Sequence, residues 1–175
     1  MGAVHFLQIL GMILLLEIFI NTFVFNVTQV RGDSMKPTLE SGDMLLLKRY
    51  KTFLNIEKYN RGDIIVFKSP LPGRKTHFIK RVIGVPGDRI NIMEGKVHID
   101  GEKIDEPYIQ EGVYTETLIY GTDFTVPNGQ VFVMGDNRMP GESTDSRMFS
   151  SISTESIEGK ISFKYTAPNK IERNL

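Results

Sequence analysis

The chain concentrates its chemically useful residues in three short segments. Gly32-Asp33-Ser34-Met35-Lys36-Pro37-Thr38-Leu39 puts a serine hydroxyl on a shaped turn, since Gly32 permits close backbone approach or unusual φ/ψ and Pro37 stiffens the chain beyond it. Phe78-Ile79-Lys80-Arg81-Val82-Ile83-Gly84-Val85-Pro86-Gly87-Asp88 reads as a strand running into a turn. On that strand Phe78, Lys80 and Val82 face one side and Ile79, Arg81 and Ile83 the other, so one of the two cations shares a face with apolar neighbours. A lysine is useful in such a place. Desolvation lowers its pKa from about 10.4 until it is neutral near pH 8, at a cost of about 3–4 kcal/mol. Arginine stays protonated and cannot do this. The third segment is Met134-Gly135-Asp136-Asn137-Arg138, followed by Ser143-Thr144-Asp145-Ser146-Arg147. Its density of Asp, Asn, Arg and Ser after an apolar run suggests a hydrogen-bonded loop. Each segment alone also has a plainer reading: a turn serine, a snorkelling edge-strand lysine and an ordinary polar turn.

Other chemistries lack their residues. The sequence holds no HExxH, no phosphate-binding glycine loop and no GxSxG elbow. His5, His77 and His98 are scattered, which argues against a histidine-based triad or a His-rich metal site. Cysteine is absent, which excludes disulfide scaffolds, zinc ribbons and thiol nucleophiles. Arg31-Gly32-Asp33 and Arg61-Gly62-Asp63 each spell an adhesion tripeptide. Such tripeptides arise by chance, and both lead into apparent strands. No metal and no cofactor are expected.

The elements that must position these segments divide unevenly. A chain of 175 residues makes one domain, or one domain with an appendage. Its 21 basic and 21 acidic side chains balance, which argues against a nucleic-acid binder held by bulk charge and against an acidic disordered tail. Residues 1–28 carry one charged side chain, Glu17. From Phe6 to Phe25, 15 of 20 residues are strongly apolar, and as a helix they cover about 30 Å, one hydrocarbon core. The leader lacks the basic start and small-residue exit of a cleaved secretory signal. It is also too long and evenly apolar for a core helix, so an uncleaved membrane span over residues 6–25 is expected.

Lys and Arg follow this span (Arg31, Lys36, Lys48, Arg49) and none precedes it, so charge alone would place the body in the cytoplasm. Glu17 and Asn21 share a helix face, read either as a helix–helix contact in the membrane or as tolerated polar residues.

Beyond the leader, β-like runs alternate with Gly, Pro and Asp turns. Met44–Lys48, Asp63–Lys68, His77–Gly84, Ile90–Ile92, Lys96–Ile99, Glu102–Ile104, Gln130–Met134 and Gly159–Tyr165 read as strands, with tight turns at Glu94-Gly95 and Asp100-Gly101. No amphipathic helix longer than two turns suggests itself, and residues 106–129 read as a loop or hairpin. The expected fold class is an all-β catalytic domain of short antiparallel strands, barrel or sandwich, with one N-terminal transmembrane helix.

Taken together and in order, these boxes make the chain resemble the bacterial type I signal peptidases, the leader peptidases with a Ser/Lys dyad. The resemblance runs from the span through GDSMKPTL, RGDIIVF, FIKRVIGVPGD and MGDNR…STDSRMF, and it covers the leader and most of the body. It implies a signal-peptidase or repressor-peptidase-like β fold of the compact single-span type. The implied activity is a serine endopeptidase that removes signal peptides from exported preproteins after small residues at −1 and −3. By similarity Ser34 is the nucleophile, Lys80 the general base and Ser143 the hydroxyl that orients the lysine. The backbone N–H of Ser34 would stabilise the oxyanion. Phe67 and Phe78 would desolvate the lysine, while Arg81, Asp136, Asp145 and Arg147 would brace the site. Val30, Met35, Leu39, Phe78 and Ile79 would wall the substrate pockets, with the peptide added as a strand against residues 29–33 and the strand carrying Lys80. The implied partners are preprotein signal peptides, the lipid bilayer and the secretion translocon, with no nucleic acid. Residues 1–28 would anchor the chain in the bacterial cell membrane, N-terminus cytoplasmic, and residues 29–175 would form the extracytoplasmic peptidase domain.

The sequence departs from this pattern in three places. Gly32 stands where some members carry a second oxyanion hydroxyl. Six residues separate Arg138 from Asp145, where four are usual. Ser150 follows Phe149 where glycine is usual, which implies a local loop change without loss of activity. Two rival readings are a self-cleaving repressor-type peptidase, which would carry a DNA-binding domain in place of the span, and an inactive membrane-anchored β-domain.

Overall fold

A computed structural model describes residues 2–19, 25–48, 58–73, 76–120, 123–166 and 170–173. Helix α1 (Gly2–Phe19) comes first, followed by β1 (Phe25–Gln29), β2 (Met44–Lys48), β3 (Ile64–Lys68) and β4 (His77–Gly84). Then come β5 (Arg89–Met93), β6 (Lys96–Ile99), β7 (Glu102–Lys103), β8 (Phe124–Thr125) and β9 (Gln130–Met134). The short helix α2 (Ser146–Phe149) precedes β10 (Ile152–Ser153), β11 (Ile157–Thr166) and β12 (Lys170–Arg173).

Two sheets result, with every pairing antiparallel. The larger runs β1-β2-β11-β3-β4-β9-β10, with β12 also on β11; the smaller runs β7-β6-β5-β8. The apolar runs of β3 and β9 are buried along nearly their whole length, which covered faces on both sides of the sheet require. The hairpins of the small sheet close where expected. Glu94-Gly95 and Asp100-Gly101 all take positive φ, the combination a two-residue turn needs to match the strands' twist.

Three apolar clusters fill the body. Val30, Met35, Leu39, Leu45, Leu47 and Ile161 pack under the Ser34 turn. Ile65, Phe67, Val82, Val133 and Ile157 pack on the face of β4 that carries Lys80, with Phe78 and Phe149 against them. Ile83, Ile90, Val97 and Phe132 lie where the small sheet meets the large one.

Two expectations need correction. The span expected over residues 6–25 runs past the described part of α1, and among the described residues no helix is long and apolar enough to cross a membrane. Residues 20–24, Asn21 among them, lie outside the described set, as does the Glu17–Asn21 pairing. Second, the strand approaching Ser34 ends at Gln29. Backbone pairing reaches Val30 through its bonds with Asp43 and Gly42, and Gly32 at φ 90° then turns the chain out of the sheet. Residues 106–129, read as a loop or hairpin, take the loop form among the described residues, with turns, irregular chain and the two-residue strand β8.

Ser150 takes a backbone conformation that favours glycine. It caps α2 with its N–H on the Ser146 carbonyl at φ 73° and ψ −171°, a region that is open to glycine and strained for other residues. Ser150→Gly should therefore stabilise the fold by about 1 kcal/mol, read as a higher denaturation midpoint with unchanged activity.

Candidate active site

Ser34 lies on the turn that follows β1, and Lys80 lies in the middle of β4, opposite Ile65 of β3. They meet at one end of a cavity of about 840 Å³, lined among others by Val30, Met35, Phe78 and Ile79. The Lys80 amine donates to Ser34 Oγ at 2.5 Å. Lys80 is 4% exposed. Its nitrogen sits 5.6 Å from the Phe78 ring centre, and Phe78, Phe67 and Phe149 pack ring to ring beside it.

Burial sets the charge of this amine. Desolvation lowers the Lys80 pKa from 10.5 to about 8; Asp145 opposes the shift, Arg147 assists it, and Asp136 opposes it weakly. The two carboxylates do not reverse the effect because each already has an arginine. Asp145 accepts from Arg147 Nε at 2.9 Å and Nη2 at 2.8 Å, and Asp136 accepts from Arg81 at 2.9 and 2.7 Å. Burial alone would raise the Asp145 pKa. The Arg147 fork, the Ser143 hydroxyl and the Gly135 N–H outweigh it and hold the carboxyl below its ordinary value.

Both cations of β4 are buried, not one. Arg81 is as enclosed as Lys80, but Asp136, the Gly62 carbonyl at 2.8 Å and the Tyr108 ring at 4.1 Å surround it. Its charge is satisfied, while that of Lys80 is not.

Most of the expected site residues converge, with two qualifications. Ser143 is buried and donates its hydrogen to Asp145 at 2.7 Å. A Cβ placed on Gly135 would lie 2.3 Å from Ser143 Oγ and 2.4 Å from the Ser34 carbonyl oxygen, so Ser143 sits beside the Ser34 turn with Gly135 wedged between them. Leu39 does not line the cavity. It is fully buried beneath the turn, where it supports the pocket floor from inside the core.

Several residues here escaped the sequence reading. Thr38 donates to Asp136 at 2.6 Å, which ties the Ser34 turn to the Arg81 pair. Arg138, fully buried, donates to the Gly135 carbonyl at 2.7 Å and to Thr115 at 3.1 Å, and pairs with Glu106. Phe149 closes the aromatic wall. Arg138 and Phe149 stand within or beside the quoted boxes. Glu106, by contrast, lies 32 positions before Arg138 in irregular chain, where no periodic pattern flags it. Glu142 and Thr144, from the lengthened loop, also line the cavity. Among the described residues, no cluster of His, Cys, Asp and Glu could hold a metal ion.

Comparison with known proteins meets this geometry at the level of the whole chain. The family profile "Signal peptidase, peptidase S26" matches residues 3–166. The chain belongs to this family. Signal peptidase I of Bacillus caldolyticus is 41% identical over 155 residues, covering 82% of this chain and 80% of that protein. Signal peptidase I of Bacillus licheniformis is 34% identical over 166 residues, covering 90% and 86%. Signal peptidase IB of Staphylococcus aureus is 31% identical over 172 residues, covering 89% and 85%. The protein is thus a signal peptidase enzyme, and its Ser34–Lys80 contact lies inside the matched region.

The buried lysine of this signal peptidase has a consequence for stability. Its folded-state pKa of about 8 lies below the ordinary 10.5, so between those values the unfolded chain binds the extra proton and stability rises with pH. Below pH 8 the fold bears the whole cost, of order 3 kcal/mol. Lys80→Met should therefore raise the denaturation midpoint at pH 7, and its advantage over wild type should shrink as the pH approaches 10.

Proposed function

We propose that this chain is a membrane-anchored serine endopeptidase that removes N-terminal signal peptides from exported preproteins, with Ser34 as nucleophile and Lys80 as general base. The observation that carries the reading is the 2.5 Å contact between Ser34 Oγ and an amine whose pKa burial has brought to about 8. An amine titrating there is neutral in an appreciable fraction near physiological pH, and it is already in place to take the hydroxyl proton.

In the first step Ser34 Oγ attacks the scissile carbonyl as its proton passes to Lys80 Nζ. The oxyanion is met by the Ser34 backbone N–H. Collapse of the tetrahedral species releases the mature protein's amine, which takes the proton from Lys80, and the signal peptide remains as an ester on Ser34. Water, deprotonated by the neutral Lys80, then hydrolyses the ester. Burial without a direct carboxylate partner lets the same amine act as base, then acid, then base again.

The cavity supports an extended peptide rather than a bulky ligand. Val30, Met35, Phe78 and Ile79 line it and leave room for small side chains at −1 and −3, while β4 offers a backbone for strand addition. Anchoring rests on α1. Phe6, Leu7, Met12, Leu15 and Ile18 are each more than half exposed, as suits side chains that face lipid. In this reading residues 1–28 hold residues 29–175 against the outer surface of the bilayer, where signal peptides emerge, with the N-terminus in the cytoplasm.

Cleavage of a preprotein by full-length wild type, Ser34→Ala and Lys80→Ala in detergent tests the dyad. Both variants should be folded and lose at least about 10³-fold in kcat/KM; near-normal turnover in either sinks the assignment. The wild-type rate should rise with loss of one proton near pH 8, because only neutral Lys80 accepts a proton, whereas a limb near pH 10.5 would contradict the buried base. In sealed vesicles of known orientation, protease added on the cytoplasmic side should leave residues 29–175 intact. Their digestion from that side would overturn the orientation.

A further inference from the structure

The Ser34 backbone N–H is one edge of a peptide group whose other edge is the Asp33 carbonyl. That peptide is trans, so its C=O and N–H point in opposite directions and whatever fixes the oxygen also aims the hydrogen. Asn137 fixes the oxygen. Its side-chain amide donates to the Asp33 carbonyl at 3.1 Å, and its backbone N–H donates to the Ser34 carbonyl at 3.0 Å. One residue therefore grips the carbonyls on both sides of the nucleophile.

The orientation of the Asn137 amide follows from its neighbours. The Met139 backbone N–H approaches Asn137 Oδ1 at 3.2 Å, and an N–H only donates, so the oxygen faces Met139 and the NH₂ faces Asp33. The Asp33 carbonyl also accepts the Lys36 N–H at 3.1 Å, which uses its second lone pair and closes the turn. Among the described residues, the Ser34 N–H has no acceptor within the chain. It is left for the substrate.

We propose that Asn137 is a positioning residue that aims and polarises the Ser34 N–H as an oxyanion donor. Two donors on the Asp33 oxygen draw electron density along the peptide and make the N–H on its far edge a stronger donor. The same grip holds the peptide plane as charge develops on the substrate oxygen, so no reorganisation is needed at that moment. The proposal rests on the assignment of Ser34 as nucleophile.

The test uses the full chain in detergent with three probes: a preprotein, a peptide aldehyde ending in Ala that forms a tetrahedral adduct with a serine, and the same peptide as an amide, which cannot. The variants are Asn137→Ala and Asn137→Asp. The aspartate keeps the size of the side chain and the acceptor for Met139 but loses the donor. Both should lose about 10- to 100-fold in kcat with KM within about threefold of wild type. Aldehyde inhibition should weaken by the same factor while amide inhibition is unchanged, and the pH limb of Asn137→Ala should stay near that of wild type. Near-normal kcat in Asn137→Asp would overturn the proposal, as would equal losses for aldehyde and amide, the signature of a merely structural residue. Ser34→Ala in the same assay separates the two levels. If it still cleaves, the nucleophile assignment fails; if it is inactive while the Asn137 variants behave as wild type, only the role of Asn137 fails.

Discussion

An amine buried within hydrogen-bond reach of a hydroxyl, with no acid of its own, is the constraint around which this molecule is arranged. Lys80 meets Ser34 at 2.5 Å on the aromatic side of β4. Any carboxylate in direct contact would raise its pKa and keep it protonated. Two carboxylates are nevertheless close enough to be felt, Asp145 and Asp136. Each is held by an arginine in a buried fork. Those arginines therefore act on the site at a distance: by occupying the acids, they leave the lysine to the effect of burial.

The loop after β9 carries most of this arrangement in few residues. Asp136 pairs with Arg81, Asn137 binds the carbonyls on either side of Ser34, and Arg138 reaches back to the Gly135 carbonyl and across to Glu106. Gly135 itself leaves the space in which the Ser34 carbonyl and the Ser143 hydroxyl approach each other. Ser34 and Lys80 lie 46 positions apart in the chain, and this loop, more than 50 residues beyond Lys80, locks the turn of one to the strand of the other. In the proposed dyad, rigidity would substitute for the orienting acid of a histidine triad, because a lysine needs no tautomer fixed, only dryness and distance.

Features that favour chemistry work against stability at the same place. A buried amine with a lowered pKa disfavours the folded state at neutral pH. By contrast, Ser150 at positive φ lies on the far side of α2 from Asp145 and has no evident part in the chemistry. The first is a cost intrinsic to a buried amine; the second is a local departure that the fold tolerates.

Much of this was legible in sequence because it depends on near neighbours in the chain. Period-two apolar runs bounded by Gly, Asp and Pro located β2, β4, β6 and β9 to the residue, and Glu94-Gly95 and Asp100-Gly101 marked their turns. Ser34 and Lys80 stood out once their boxes were taken together. The sequence did not disclose that both cations of β4 are buried, that Leu39 lies inside the core, or that Glu106 partners Arg138. It also overextended the strand leading to Ser34. Each of these depends on which strands lie side by side and which loops cover them, in the order β2-β11-β3 and β4-β9, and long-range pairing has no local signature. The sequence by itself determined which residues are available to react and the turns that present them. Only the tertiary structure decided the protonation of Lys80, because desolvation and the pairing of its neighbouring acids are properties of the packed interior.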